Sequence, residues 1–509
     1  MKITITNKVK KEKKGMNTFM NGLVDANNYG LTENGAIKHN TTKSTVLDMF
    51  ALCGAYRNRS DEDCIVAFKN AYNENPDLAM KCLFYLRDVR GGQGERRFFR
   101  VSFKWLANNH PTSAKKNLEN CAEYGRWDDL IYTTIGTPVQ NYAFDVLKHQ
   151  LALDVECKTP SLLAKWMPSE NASSKTTKAT ANVIRQYLGM THKEYRKTLS
   201  ILRERINVLE RLMSAGKWDL IEFDKIPSKA GLIYKNAFAR RDIIAKKYEA
   251  FIKDNKTKVN ADVLNPIDIA HKAFYCHESY GGVDRAALDK YWANLKDYYN
   301  GREENGLCIV DVSGSMSGQP MEAAVSMGAY IAERGHGPFA NHFITFSSKP
   351  QLVKFNGVDI VDKLQRCERA DWGMNTDIEA VFNMLLDIAR NKNTKPEDMP
   401  TRLYIFSDME FDEGFFGYYH RRHNYSEGEV NTLLEDIAKK WQAAGYELPQ
   451  VIFWNLDART QNIPAINGGR FAYVSGFSMS MIETILSGKD GYDLMLEKLM
   501  SERYKAVAA

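Results

Sequence analysis

Three oxygen-bearing side chains, Asp311, Ser313 and Ser315, stand on alternate residues of Ile309-Val310-Asp311-Val312-Ser313-Gly314-Ser315-Met316-Ser317-Gly318. A carboxylate and two hydroxyls spaced this way along a turn can converge on one point, and the chemistry they suit is the binding of a hard divalent cation. Mg²⁺ takes about six oxygens at roughly 2.0–2.1 Å and releases its waters reluctantly, so a few protein oxygens plus water fit it better than Zn²⁺. More oxygens come from Thr376, in the loop Asp371-Trp-Gly-Met-Asn-Thr-Asp377, and from Asp408, which ends Arg402-Leu-Tyr-Ile-Phe-Ser-Asp408. The expected cofactor is Mg²⁺ or another hard divalent cation, and its expected ligands are Asp311, Ser313, Ser315, Thr376 and Asp408.

The flanking elements place these residues. Gly306 to Val310 is a short continuous apolar run, the pattern of a strand buried on both faces of a parallel sheet, and Arg402 to Ser407 is a second. Asn341 to Ser347 and Gln450 to Asn455 read as further strands. Gln319 to Arg334, Ile378 to Arg390, Glu427 to Ala444 and Met479 to Leu486 read as helices. Alternating strands and helices predict a doubly wound α/β domain, in which ligands collect at the carboxyl ends of the strands. The stretch Glu410 to Tyr425 follows Asp408 and would bring Asp412, Glu413, His420 and His423 to the rim of the site. Two histidines three apart are too few ligands for a transition metal, and a surface or specificity loop is the expected role.

Asp-x-Ser-x-Ser, a later Thr and a strand-end Asp, in that order on alternating strands and helices, resemble the metal-ion-dependent adhesion site (MIDAS) of von Willebrand factor A domains. The resemblance covers about residues 301–487. It implies that the five residues bind the metal directly or through water and leave one coordination position for an acidic group of a partner.

The chain of 509 residues is too long for one core and predicts two or three domains. Its net charge of +6 conceals an asymmetry: residues 1–300 hold 48 Lys and Arg against 34 Asp and Glu, while residues 301–509 hold 21 against 29. A basic half of net +14 predicts a polyanionic partner. No apolar run reaches 18 residues, residues 1–15 lack a signal-peptide core, and the eight cysteines form no Cys-x-x-Cys. A cytoplasmic protein with reduced thiols and no membrane contact is expected.

The basic half reads as successive helices. Apolar stripes at spacings of three and four run through Thr45 to Tyr56, Asp61 to Asn73, Pro76 to Val89, Glu95 to Asn108 and Glu194 to Met213. Helical hairpins stacked in the manner of an α-solenoid are the simplest way to bury them. Gly125-Arg-Trp-Asp-Asp-Leu130 and Gly216-Lys-Trp-Asp-Leu-Ile221 echo each other, either as traces of a repeat or as two ordinary helix restarts.

Three clusters here have the composition of a nucleic-acid contact. Arg87-Asp-Val-Arg90-Gly-Gly-Gln-Gly-Glu-Arg96-Arg97-Phe-Phe-Arg100 sets a Gly-rich turn between arginines, where either N–H groups and guanidiniums could meet a phosphate or the arginines of a helix-hairpin turn pair with neighbouring acids. It lacks the Gly-Lys-Ser/Thr ending of a P-loop, so ATP hydrolysis is not expected. Lys165-Trp166 and the Ser/Thr/Lys stretch Ser169 to Thr180, read as a loop, combine an aromatic with cations and hydroxyls. The third, Lys225 to Arg241, contains Lys229 and Lys235, with Ile233, Ala237 and Phe238 read as core, so that its charges either meet a polyanion or are simply solvated. The nominated RNA-contacting residues are Arg90, Arg96, Arg97, Arg100, Lys165, Lys229 and Lys235.

Basic helical repeats followed by an A-like domain with Asp-x-Ser-x-Ser resemble the layout of the Ro autoantigen, the TROVE-module RNA-binding proteins with HEAT-like repeats. Arg-Gly-Gly-Gln-Gly-Glu-Arg (90–96), Ser-Leu-Leu-Ala-Lys-Trp-Met-Pro-Ser (161–169) and Ile-Pro-Ser-Lys-Ala (226–230) resemble more closely an uncharacterised Ro-like family of phages and plants. The resemblance implies a ring of helical repeats that takes single-stranded RNA ends, with structured non-coding RNA outside and the A-like domain closing the ring.

The expected architecture is therefore multidomain α plus α/β: a basic tail (1–15), a TROVE-like helical-repeat RNA-binding domain (16–300), a von Willebrand A-like domain (301–487) and a C-terminal helix (488–509). The expected function is RNA binding with a Mg²⁺-dependent site for an acidic partner, without catalysis. The alternatives are a metal-dependent protein-interaction scaffold without RNA, and a metal-dependent hydrolase using Asp408, Glu410 and Asp412.

Overall fold

The computed structural model of the chain describes residues 27–276, 282–346, 349–368, 376–413, 431–466 and 470–509. A small antiparallel hairpin, β1 (Tyr29–Leu31) and β2 (Ile37–His39), comes first. The sequence reading placed only helices in this half.

Helices follow where polar caps meet apolar stripes. After α1 (Thr45–Leu52), Ser60 and Asp63 close a capping box on α2 (Asp61–Glu74), and Asn75 caps α3 (Pro76–Arg87) with Pro76 in its first turn. Then come α4 (Arg96–Asn109), α5 (Pro111–Lys116), α6 (Asn120–Tyr124), α7 (Trp127–Thr134), α8 (Gln140–Glu156), α9 (Leu163–Trp166) and α10 (Lys175–Tyr187). Part of the Ser/Thr/Lys stretch expected as a loop is thus the first turn of α10, capped by Ser174. The helix expected over Glu194 to Met213 is two, α11 (His192–Arg205) and α12 (Leu209–Ser214), because Asn207 turns left-handed at φ 48°. The two Gly-basic-Trp-Asp segments fold differently: Trp127 opens α7, whereas Trp218 opens a 3₁₀ turn over Trp218–Leu220. Helices α13 (Ser228–Arg240), α14 (Asp242–Lys253), α15 (Pro266–Phe274) and α16 (Gly282–Ala293) complete the half. Phe238 is buried as expected, but Ile233 is 65% exposed because it lies on the outer face of α13.

The second half is a six-stranded sheet in the order β5-β4-β3-β6-β7-β8: β3 (Gly306–Asp311), β4 (His342–Phe346), β5 (Gln351–Lys354), β6 (Arg402–Ser407), β7 (Gln450–Asn455) and β8 (Phe471–Ser475). All neighbours are parallel except the exposed edge strand β5. Helices α17 (Gln319–Arg334), α18 (Ile360–Glu368), α19 (Ile378–Lys392), α20 (Leu433–Ala443), α21 (Ile482–Ile485) and α22 (Gly491–Leu499) alternate with or follow the strands. Helix α17 lies close on β3, since a Cβ at Gly328 would come within 2.6 Å of Val310 Cγ2. No helix among the described residues is long and apolar enough to cross a membrane.

Both ends of the helical half dock on the α/β domain. At one end the Ser475 hydroxyl donates to Phe50 O (3.0 Å) and accepts from Gly54 N (2.9 Å). At the other, Arg285 grips Asp359 with two bonds of 2.8 Å, and Trp292 Nε1 donates to Glu333 (2.6 Å). Packing leads from α1 to α11, where Ser200 O accepts from Arg211 of α12, and on through the 3₁₀ turn at Trp218–Leu220 to α14, α15 and α16; α15 and α16 pack on α17 and α18, so the path of contacts closes on itself through the sheet. The chain after α22 returns to the helical half, where Arg503 grips Asp88 at 2.6 and 2.7 Å.

Candidate metal site and basic surface

Counted from its first strand, the sheet runs 3-2-1-4-5-6, and the order reverses between β3 and β6. The crevice outside the carboxyl ends of two such strands is where doubly wound folds bind ligands. Asp311 ends β3 and Asp408 immediately follows β6, so parallel pairing alone carries both carboxylates to the switch point.

The Ser407 hydroxyl donates to Asp311 Oδ2 (2.6 Å), and Ser313 N donates to Asp311 Oδ1 (2.9 Å). Ser313 Oγ and Ser315 Oγ are 3.0 Å apart, and the Ser315 side chain is hydrogen-bonded to Asp408. Asp311 is fully buried and Asp408 is 1% exposed. Burial, and then the nearby Asp408 charge, push the Asp311 carboxyl up to about 7; burial likewise raises Asp408. Two buried carboxylates, with the Asp408 charge opposing ionisation of Asp311 and Glu410 opposing that of Asp408, and two hydroxyls beside them, are a donor set that a hard cation would relieve. Among the described residues no three His, Cys, Asp or Glu side chains gather as a metal cluster, so the candidate set rests on this carboxylate pair and its hydroxyls.

Four of the five nominated ligands, Asp311, Ser313, Ser315 and Asp408, are therefore together. The fifth, Thr376, is buried on the neighbouring loop, where its hydroxyl donates to Asp412 Oδ1 (3.1 Å) and accepts from Asn34 Nδ2 (2.8 Å). Residues 369–375 and the His420/His423 pair lie outside the described residues.

The sequence reading missed two features of this site. Arg459, after β7, places one guanidinium nitrogen 2.6 Å from Asp408 Oδ2 and 3.3 Å from Glu33 Oε2. The β1–β2 turn also covers the rim: Asn34 Nδ2 donates to Glu410 O, Glu33 N to Glu410 Oε2 (2.7 Å) and Thr32 Oγ1 to Phe411 O (2.7 Å). Glu410 and Asp412, nominated for a hydrolase, spend their carboxylates on these loops, Glu410 on Glu33 N and Thr460, Asp412 on Thr376. The Asn-Leu-Asp-Ala-Arg run after a buried strand could have signalled Arg459. A hairpin docking on a loop more than 340 residues away leaves no local signal.

The nominated RNA contacts divide by partner. Lys235 is enclosed at 4% exposure and paired with Asp284, so it offers no surface to a polyanion. Arg100 binds Asp128 and Asp129 (2.7 and 2.6 Å), Arg97 binds Asp61 and Tyr56 O, and exposed Lys229 faces Asp268 at 3.5 Å. Arg90 donates to Glu123 O (2.9 Å). The Gly-rich turn beside it is a joint between domains and not an open cradle: Ser480 Oγ donates to Gly92 O (3.2 Å) and Ser478 N to Gln93 Oε1 (3.1 Å). Gly92 is required there, since a Cβ would fall 1.8 Å from Tyr85 O.

Arg96 is different. It is exposed and forms no ion pair among the described residues, and partial burial, then Arg126 and Arg100, hold its pKa below the usual value. Arg126, which the sequence reading did not nominate, lies 4.0 Å from the centroid of the half-buried Trp166 ring, with Lys165 Nζ 5.7 Å from the same ring. Among the described residues Arg87, Arg96, Arg100 and Arg126 thus surround two carboxylates, Asp128 and Asp129.

Fold and site together define a helical array closed by a doubly wound α/β domain that carries a buried carboxylate pair. Residues 32–133 and 158–299 match one domain of unknown function (DUF2828), and residues 305–506 match another (DUF7788). The chain belongs to the family of "Uncharacterized protein L728" of Acanthamoeba polyphaga mimivirus, to which it is 30% identical over 505 positions, covering 91% of this chain and 85% of the relative. Among solved structures, the Deinococcus radiodurans RO (RSR) protein is similar at a TM-score of 0.42 and 12% identity, over 90% of this chain and 99% of that one.

Proposed function

We propose that this is a Ro-like RNA-binding protein whose helical half holds single-stranded ends or structured non-coding RNA. The observation that carries the reading is Arg96: an exposed guanidinium that forms no ion pair among the described residues, beside Arg126 and Trp166, in a half of net charge +14. Cations hold an RNA backbone, and a neighbouring indole offers a face for base stacking.

The α/β domain, in the same proposal, carries a Mg²⁺ site of the von Willebrand A type. Asp311, Ser313, Ser315 and Asp408 would hold the ion, and Thr376 would join them on release from Asp412. The ion, when bound, supplies positive charge between two buried carboxylates and a position for an acidic group. The alternative, a metal-dependent protein-interaction scaffold without RNA, is supported by Glu33, an acidic side chain already at the rim of this site.

The test is the anisotropy of fluorescent single-stranded and hairpin RNAs titrated with the full chain and with an Arg96→Glu variant. Binding that the variant weakens tenfold or more supports the proposal. Absence of binding to either RNA at low salt rejects it in favour of the scaffold.

A further inference from the structure

Where the two ends of the helical half meet the C-terminal segment, the structure forms a solvent-open pocket of about 450 Å³. Its walls carry four cations, Arg90, Lys296, Lys498 and Arg503, and two carboxylates, Glu483 and Glu497. Glu497 is engaged outside the pocket, accepting from Ser487 Oγ (2.9 Å) and Lys489 (3.0 Å), while Glu483 accepts from Asn300 (3.2 Å) and lies 3.9 Å from the pocket's own Lys296. Arg503 is fixed by Asp88, and Arg90 by Glu123.

Among the described residues Lys498 has no carboxylate within ion-pair reach. Its ammonium donates to Ser480 O at 3.2 Å and lies 5.8 Å from the centroid of the Tyr85 ring, which leaves two of its three N–H donors without a described acceptor. Burial, the largest effect, pushes its pKa down to about 8, with Lys296 and Arg503 adding to the depression. A half-buried cation kept at such a cost, among three others, calls for an anion.

We infer that this pocket is a binding site for a small phosphate ester, of nucleotide size, whose dianionic phosphate is received by Lys498 with Lys296, Arg90 and Arg503 around it. The volume lies within the range of small-ligand sites, roughly 300–1,000 Å³. Fixed arginines with a lysine point charge are the common protein answer to a phosphate. The site is separate from the Arg96 surface and from the carboxylate pair, so it stands or falls independently of RNA binding.

The experiment is calorimetric titration of the full chain with a nucleoside 5′-monophosphate, with inorganic phosphate and with the unphosphorylated nucleoside. The monophosphate should bind saturably, inorganic phosphate more weakly and the nucleoside not at all. Lys498→Met should weaken the monophosphate at least tenfold, Lys498→Arg should retain part of the affinity, and Arg96→Glu should leave it unchanged. Should Lys498→Met fail to fold, Lys296→Gln at the rim should still weaken binding several-fold. No saturable heat with wild type at millimolar monophosphate overturns the inference, as does equal affinity in a folded Lys498→Met variant or, where that variant does not fold, in Lys296→Gln. Loss of binding in Arg96→Glu alone also overturns it, since the phosphate would then sit on the basic surface.

Discussion

One guanidinium nitrogen of Arg459 lies 2.6 Å from Asp408 Oδ2 and 3.3 Å from Glu33 Oε2, so the buried strand-end carboxylate and the N-terminal hairpin share a single cation. Arg459 is the neutralising charge that Asp408 has without a metal, and a divalent ion would take over part of that task.

Substituting Arg459→Met should therefore lower the stability of chelator-treated protein by about 1–3 kcal/mol, a range reduced because the side chain is partly exposed. Millimolar Mg²⁺ should raise the unfolding temperature of the variant more than that of wild type, and Asp311→Asn should abolish the response in both. Ligand-linked stabilisation of about 2.7 kcal/mol at a hundredfold excess over Kd sets the scale. Equal unfolding temperatures with Mg²⁺ and with chelator in wild type would remove the metal from the account.

Arginines that are close in sequence are predicted to behave oppositely. Arg87 is 2% exposed and sits 2.6 Å from the fully buried Asp129. Removing one partner of such a pair costs about 3–5 kcal/mol, so Arg87→Met should shift the denaturant midpoint strongly. Arg96→Ala, which breaks no ion pair, should stay within about 0.5 kcal/mol of wild type and lose RNA affinity instead. A large stability loss in Arg96→Ala would assign it a structural role.

Lys498 gives the protein a pH dependence of definite sign. Its folded pKa of about 8 lies below the value of about 10.4 for a free lysine, so between the two the unfolded chain binds more protons and stability rises with pH. Asp88 and Glu483 oppose the depression, and Lys296 and Arg503 add to it. Below pH 8 the cost is present in full. In phosphate-free buffer Lys498→Met should exceed wild type by about 3 kcal/mol at pH 7, with the gap closing toward pH 10.5. A gap that does not change across this window would show that the lysine is ordinarily solvated.

Much of this organisation is written locally. Buried parallel strands are apolar runs, so β3, β6 and β7 could be read directly, and the polar residue at the end of each marks the crevice. Ser60 and Thr191 likewise announce their helices through their capping boxes. Pairing between distant segments is not local. Whether an arginine is free or held depends on acids one or more helices away, as Arg100 is held by Asp128 and Asp129, and sequence composition treats it and Arg96 alike. The left-handed turn at Asn207 and the enclosure of Lys235 also depend on how helices stack, which a periodic stripe does not specify.

The most direct test of the central claim is the affinity of a single-stranded RNA for the full chain across a salt series, with Arg96→Glu/Trp166→Ala in parallel. Three cations on backbone phosphates predict a slope of about −2 in log K against log salt, more than a tenfold loss between about 50 and 200 mM. The account predicts that slope for wild type and a shallower, weaker line for the variant. Wild-type binding that is absent at low salt, or that is present but indifferent to salt and to the two substitutions, would contradict it.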